Sequence, residues 1–216
     1  MKRIKMDPIK NHKEILNDVQ KFFDKKISQY GATFEAVDYN SKESQEIRFI
    51  QLLKVIDTDN PFTIIDYGCG YGELAHFING LGFEFEYQGF DISEAMIKQA
   101  IKKTPKDLGF KFTTNLTEVK PADYAVASGI FNKKLEADNK AWENLAIDTL
   151  KNMANLSQRG FSFNMLTSYS DPEFMREDLY YGDPLFYFDY CKKNFSRNVA
   201  LLHDYELYDF TILVRT

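Results

Sequence analysis

Cysteine is nearly missing from this sequence: Cys69 and Cys191 are the only two in 216 residues. One possible pair is no disulfide framework, so reduced thiols are expected. Neither cysteine has a CxxC or Cys/His neighbourhood, and no metal site is expected. No run approaches the roughly 18 apolar residues of a membrane span, so no membrane partner is expected. Met1 to Asp7 is basic, but no apolar stretch follows it as in a secretion signal, and a cytoplasmic location is the default expectation. Positive charge is not in excess: 27 Lys and Arg face 32 Asp and Glu, a formal charge of −5. Tight non-specific binding to a phosphate backbone needs a basic face, so a nucleic-acid partner is not expected. Histidine is confined to His12, His76 and His203.

What is present suffices for a core. Hydrophobic residues make up 44% of the chain, a normal globular share, and the length suits one domain of ordinary size. Lys13 to Ser28 carries Ile15, Val19, Phe22, Phe23 and Ile27 at helical spacing. Tyr30 to Ser41 is turn-like. A second helix is expected from near Asn40, with Glu43 as its capping-box partner and Phe49, Leu52, Leu53 and Ile56 as its apolar stripe. Asn60-Pro61 breaks the chain.

From Phe62 the pattern alternates. Strands are expected at Phe62–Tyr67, Phe85–Phe90, Lys111–Thr113, Tyr124–Ala127 and Phe161–Leu166. Between them, Leu74 to Leu81, Met96 to Ile101 and Trp142 to Met153 read as helices. This rhythm predicts an α/β fold whose parallel sheet is covered on both faces. Val199–His203 and Tyr208–Val214 are separated only by Asp204 to Leu207. So short a link allows an antiparallel hairpin but no parallel crossover.

The string Asp66-Tyr67-Gly68-Cys69-Gly70-Tyr71-Gly72 carries the chemistry. An acid ends a strand, and glycines follow at every second position. Open α/β sheets bind ligands beyond the carboxyl ends of their strands, and a helix N-terminus beginning near Tyr71 would face such a ligand. A dinucleotide loop, GxGxxG, needs glycine where Glu73 stands, and a Walker loop needs GK[ST], which is absent.

Asp66-x-Gly68-x-Gly70-x-Gly72 resembles motif I of class I S-adenosylmethionine (SAM)-dependent methyltransferases. Gly89-Phe90-Asp91-Ile92-Ser93 resembles that family's ribose-binding strand end. Asp123 to Ser128 and Arg159 to Leu166 look like its fourth and fifth strands, and the terminal hairpin like its sixth and seventh. The resemblance covers roughly Asn60 to Thr216. Asn40-Ser41-x-x-Ser44-Gln45-x-x-Arg48-Phe49 also looks like an extension found in uncharacterised stand-alone bacterial members. The resemblance implies a doubly wound, Rossmann-like, seven-stranded, mostly parallel sheet with a C-terminal antiparallel hairpin. It also implies an N-terminal helical extension over residues 1–59 and a methyltransferase domain over residues 60–216.

It further implies SAM as cofactor, with S-adenosylhomocysteine as product. Asp91 would take the ribose hydroxyls. The loop Gly68, Cys69, Gly70, Tyr71 and Gly72, with Asp66, would face the methionine ammonium. Arg48, with Gln45 one turn earlier, is the candidate for the methionine carboxylate, against a surface arginine. Ile92, Asn115 and Leu116 would hold adenine, although Asn115 by composition is a turn residue. Ser128 and Gly129 lie where methyl transfer takes place, with Phe131 and Asn132 on the acceptor side.

No Asn/Asp-Pro-Pro-aromatic motif and no Pro-Cys pair is present, and both absences weigh against nucleobase acceptors. His203, ending the sixth strand on the ligand side of the sheet, and Asp204 beside it are the candidate base, against a solvated hairpin turn. Aromatic residues crowd Thr167 to Tyr190, and Tyr169, Tyr180 and Tyr181 are candidates for the acceptor pocket. The expected activity is methyl transfer by in-line displacement to an oxygen or nitrogen of a small molecule. The alternatives are a methyltransferase acting on tRNA or protein, and a non-catalytic SAM- or nucleoside-binding protein.

Overall fold

The computed structural model describes residues 11–216; the basic stretch Met1 to Asp7 and the start of the N-terminal extension lie outside the described residues. Helix α1 (His12–Tyr30) starts at a capping box in which Asn11 and Glu14 satisfy each other's backbone amides, and it ends at Gly31. Ile15, Val19 and Ile27 form its buried stripe. A 3-10 turn at Phe34–Val37 leads to helix α2 (Lys42–Leu53). The cap of α2 is Ser41 with Ser44 as its partner, one residue beyond the expected Asn40 and Glu43. A short hydroxyl at Ser44 reaches back to the Ser41 amide as a longer Glu or Gln would.

The remainder alternates as the periodicity requires. The elements are β1 (Phe62–Tyr67), α3 (Glu73–Gly80), β2 (Phe85–Phe90), α4 (Glu94–Lys103), β3 (Lys111–Thr113), β4 (Ala122–Ala127), α5 (Asn139–Leu156), β5 (Ser157–Leu166), α6 (Pro184–Asn194), β6 (Asn198–Leu202) and β7 (Asp209–Arg215). Seven strands form one sheet in the order β3-β2-β1-β4-β5-β7-β6. Strand β7 runs antiparallel to both neighbours, while β1 to β5 pair in parallel. The antiparallel strand therefore lies inside the sheet, and β6 takes the edge.

Three consequences position the site. The chain winds outward from β1 to β3 and then crosses back to β4, so the order reverses between β1 and β4. A crevice opens there, beyond the carboxyl ends of the strands. Between β3 and β4 the chain forms only a 3-10 turn, Leu116–Glu118. Helix α1 reaches that side of the sheet and packs against α4 and α5. Its Ile15 and Val19 share one hydrophobic cluster with Ile65, Phe90, Trp142 and Leu145. On the other face α2 packs against β5 and β7. The segment between α1 and α2 is thereby carried across the sheet edge, over the crevice. Among the described residues no helix is long and apolar enough to cross a membrane.

Candidate active site

The loop after β1 is bent back onto the end of β2. The amides of Gly68 and Cys69 both donate to the Phe90 carbonyl, at 2.7 and 2.9 Å. The Gly70 amide donates to Asp91 Oδ2 at 2.8 Å, and the Ser93 amide donates to Asp91 Oδ1 at 2.8 Å. Gly68 sits at φ +82, and a Cβ there would lie 2.3 Å from Ile130 Cγ2. Only glycine meets both conditions. Gly72, also at positive φ, starts α3 and packs against Phe112 and Ala100.

Two carboxylates lie under this loop, Asp66 buried and Asp91 half-buried. Asp66 accepts a hydrogen bond from the Tyr87 hydroxyl at 2.7 Å. Burial pushes its pKa up to about 7, the Tyr87 bond opposes this, and Asp91 nearby adds to the rise. Burial pushes Asp91 up to about 6, against the two amides that favour its charged form. Each Asp91 oxygen accepts one amide and keeps a second lone pair for a ligand.

Three openings that share Val37 in their walls lie at this end of the sheet, and two of them border the loop. The first is a cavity of about 390 Å³, lined mostly by apolar side chains, between the loop, α1 and α5. Gly68, Gly70, Asp91, Ile92, Leu116 and Phe131 face it. A small cleft, about 30 Å³, lies on the other side of the loop and is lined by Asp66, Cys69, Tyr71, Gln45 and Ser128 among others. Gln45 Oε1 accepts from the Tyr71 hydroxyl at 3.3 Å. The second large cavity, about 410 Å³, includes Tyr39, Arg48, Asn132, Lys133, Arg176 and Tyr181 in its wall. Gly129 borders both large cavities.

The structure therefore brings together Asp66, Gly68, Cys69, Gly70, Tyr71, Asp91, Ile92, Leu116, Ser128, Gly129 and Gln45 around one loop, with Phe131 and Asn132 just beyond. Gly72 faces none of the openings and serves the helix start. Asn115 does not face them either. It is exposed, and its side chain caps its own turn through Thr117 and Glu118.

Arg48 is not free to act as a simple carboxylate clamp. Its Nη2 donates to Asp209 Oδ2 at 2.5 Å, its Nη1 donates to the Ser44 carbonyl, and its plane lies 4.8 Å from the Tyr39 ring centroid. It faces the second large cavity rather than the cleft.

His203 and Asp204 are exposed and border none of the three openings. Because β7 is inserted beside β5, the end of β6 lies three strand spacings from β4, roughly 14 Å at the usual spacing of neighbouring strands. Tyr180 belongs to the core, its hydroxyl 3.1 Å from that of Tyr187. Tyr169 is 65% exposed beside the His203 ring. Tyr181 alone of the three aromatic candidates lines the acceptor-side cavity.

The stretch from Tyr30 to Arg48 is expected from sequence to shape the acceptor side, but sequence reasoning singled out no residue between the first two helices. Val37 borders all three openings, and Tyr39 borders the cleft and the second cavity. The Tyr39 hydroxyl is 2.9 Å from Ser128 Oγ. Asp38, in the left-handed region at φ 61, is held by Lys26 and Lys133, both at 2.7 Å. Burial works to raise the Asp38 pKa, but its bonds to the two lysines outweigh it and hold the group below the usual range. The only sequence signal was the proximity of Tyr39 to the Ser41 cap.

A glycine loop pinned to an acid at the next strand end, on a sheet of this order, defines a class I SAM-dependent methyltransferase. A profile of the methyltransferase domain family matches residues 59–156. A Mycobacterium tuberculosis protein described as a methyltransferase is 45% identical over 163 residues, 76% of this chain and 98% of that protein. The chain belongs to this methyltransferase family and uses SAM as its methyl donor. Its fold is shared with magnesium protoporphyrin IX methyltransferase of Synechocystis PCC 6803 with bound S-adenosylhomocysteine, at TM-score 0.65 and 15% identity over 92% of this chain and 98% of that one. It is shared too with the N-methyltransferase NodS of Bradyrhizobium japonicum WM9, at TM-score 0.60 and 14% identity over 90% and 98%.

The residues present fit that cofactor. Asp91 retains acceptor capacity beside an apolar cavity, and a side chain at Gly68 would intrude on Ile130 at its edge.

Proposed function

We propose that the protein methylates an oxygen or nitrogen of a small-molecule acceptor held in the cavity lined by Tyr39, Asn132 and Tyr181. One observation carries this reading. A second cavity of small-molecule size meets the cofactor-side cavity at Gly129, on the far side of the Tyr39–Ser128 hydroxyl pair. Ligand pockets of a few hundred Å³ suit compounds that are largely buried when bound. The net charge of −5 also favours a small molecule over tRNA.

The parts divide as follows. Asp91 holds the ribose of SAM, while Ile92 and Leu116 flank adenine. Asp66 and the loop carbonyls face the ammonium. SAM supplies a methyl group on a sulfonium, a leaving group that is already activated. The chain's contribution is alignment and exclusion of water. Tyr39 is the positioning residue. Burial raises its pKa, so the phenol stays protonated at the junction, where it shares one hydrogen bond with Ser128 Oγ. A Cβ at Gly129 would lie 2.5 Å from the Tyr39 oxygen, so glycine at this position lets that hydroxyl approach.

The test is S-adenosylhomocysteine release over a panel of metabolites bearing hydroxyl, amine and carboxyl groups, run beside bulk tRNA and protein acceptors. Turnover confined to tRNA or protein overturns the small-molecule reading. Tight SAM binding with no turnover of any acceptor class favours a SAM-binding protein without catalysis.

A further inference from the structure

The second large cavity carries charge opposite to that of the whole protein. Four charged side chains face it: Arg48, Lys133 and Arg176 against Asp38. The other two carboxylates that neutralise the cations, Asp209 and Asp178, do not line the cavity. The wall thus presents three cations and one carboxylate to the cavity, with Asp209 and Asp178 outside its lining.

The hydrogen-bond inventory points the same way. Arg48 Nε and Asp209 Oδ1 are both buried without a partner, although Arg48 Nη2 and Asp209 Oδ2 are bonded to each other, so this pair is balanced within the wall. Asn132 uses its carbonyl oxygen to accept the Leu166 amide at 3.0 Å. That bond fixes the orientation of the side chain and leaves its NH₂ group to the cavity. The Tyr181 oxygen accepts the Arg176 amide at 2.9 Å, so its own proton remains to be given. At Asn132 and Tyr181 an acceptor is taken up within the protein and a donor is left over. The complementary ligand is rich in acceptors and negatively charged.

We propose that the methyl acceptor carries an anionic group, a carboxylate or a phosphoryl-type oxyanion, held by Arg176, the Asn132 amide and the Tyr181 hydroxyl, with the Arg48 guanidinium contributing positive potential from the wall. This rests on the small-molecule reading above. It requires that the anion serve as the anchor, with the methylated atom elsewhere on the acceptor, toward Tyr39 and Gly129. Lys133 is already bonded to Asp38 and Asp178, at 2.7 and 2.8 Å, so it shapes the cavity and adds charge without needing to release a carboxylate.

The experiment is calorimetric titration of the S-adenosylhomocysteine-loaded protein with benzoate, phenylphosphonate and benzamide, at low and high salt. A charge-assisted contact makes at least one anion bind about tenfold more tightly than benzamide, with the advantage shrinking as salt is added. Whichever of benzoate and phenylphosphonate binds more tightly identifies the oxyanion. Arg176→Gln tests the assignment at a partly exposed side chain, since Asp178 keeps its bond to Lys133. The variant is expected to weaken the preferred anion several-fold and to leave S-adenosylhomocysteine affinity unchanged. Equal binding of benzamide and the anions, or unchanged anion binding in Arg176→Gln, overturns the anionic assignment and leaves the small-molecule reading standing. Failure of all three probes on protein that binds S-adenosylhomocysteine overturns the anion site. Turnover of tRNA in the panel above then removes the small-molecule reading separately.

Discussion

The pH dependence of cofactor affinity is expected to report Asp91 and Asp66 one at a time. In the free protein Asp91 sits at about 6 and Asp66 at about 7, both raised chiefly by burial. A carboxylate that accepts ribose hydroxyls has a lower pKa in the complex than in the free site. Affinity is therefore full above the free-site pKa and is lost as pH falls through it. At pH 5 a group of pKa about 6 is ionised in roughly one molecule of eleven, so affinity drops about tenfold from its plateau, about 1.4 kcal/mol. The two acids are separated by choice of ligand. 5′-Methylthioadenosine carries the ribose without the amino acid, so its affinity is expected to be level above pH 7 and about tenfold weaker at pH 5. S-Adenosylhomocysteine adds the ammonium that Asp66 faces, and its affinity is expected to begin falling a unit higher and more steeply. Calorimetry between pH 5 and 8 measures both. Asp91→Asn is expected to bind methylthioadenosine weakly and without pH dependence. A level methylthioadenosine profile for the unaltered protein, or a slope that survives in Asp91→Asn, refutes the assignment of Asp91 to the ribose.

Because its folded-state pKa is raised, Asp66 destabilises the ligand-free protein as pH rises from about 4 to 7. Asp66→Asn is expected to remove most of that loss, raising stability at pH 8 by up to about 4 kcal/mol, the full value of a rise from 3.8 to about 7, while weakening SAM binding; denaturant unfolding at pH 5 and 8 checks it. Tyr39→Phe is expected to lower kcat with little change in SAM affinity, and Gly129→Ala to do likewise by displacing the hydroxyl, as single-turnover kinetics would show. Arg48→Met leaves Asp209 buried and uncompensated and is expected to cost about 3–5 kcal/mol, whereas adding Asp209→Leu to it restores most of the stability; urea midpoints measure both. The double variant, with the buried pair gone, is expected to stay inactive.

How much of this was legible depends on how locally each part is encoded. Strands β1, β2 and β3 have the bounds that the apolar runs give, because each run is flanked by its own breakers. Strand β5 starts at Ser157, four residues before the expected Phe161. Ser157, Gln158 and Arg159 lie at the amino edge of the sheet, where solvent is near, so no hydrophobic run marks them. The hairpin is legible from the short link between β6 and β7. Its insertion, with β7 against β5, is not, because a period-2 pattern says which face is buried and not which neighbour is paired.

The cofactor half of the site belongs to one stretch of chain, β1 to the start of α4, where strand, loop and acid follow in order and local spacing alone places Gly70 on Asp91. The acceptor half has no such stretch. Arg48 meets Asp209 across 161 positions, Lys133 meets Asp178 across 45, and Tyr39 meets Ser128 across 89. Each side chain read singly is a surface charge or a turn residue. They become a donor-rich wall only when β7 lies against β5 and α1 has carried the linker over the crevice. The misplacement of His203 and the oversight of Tyr39 share this origin. Both depend on which elements become neighbours, and the inserted β7 moves the end of β6 away while α1 brings Tyr39 in.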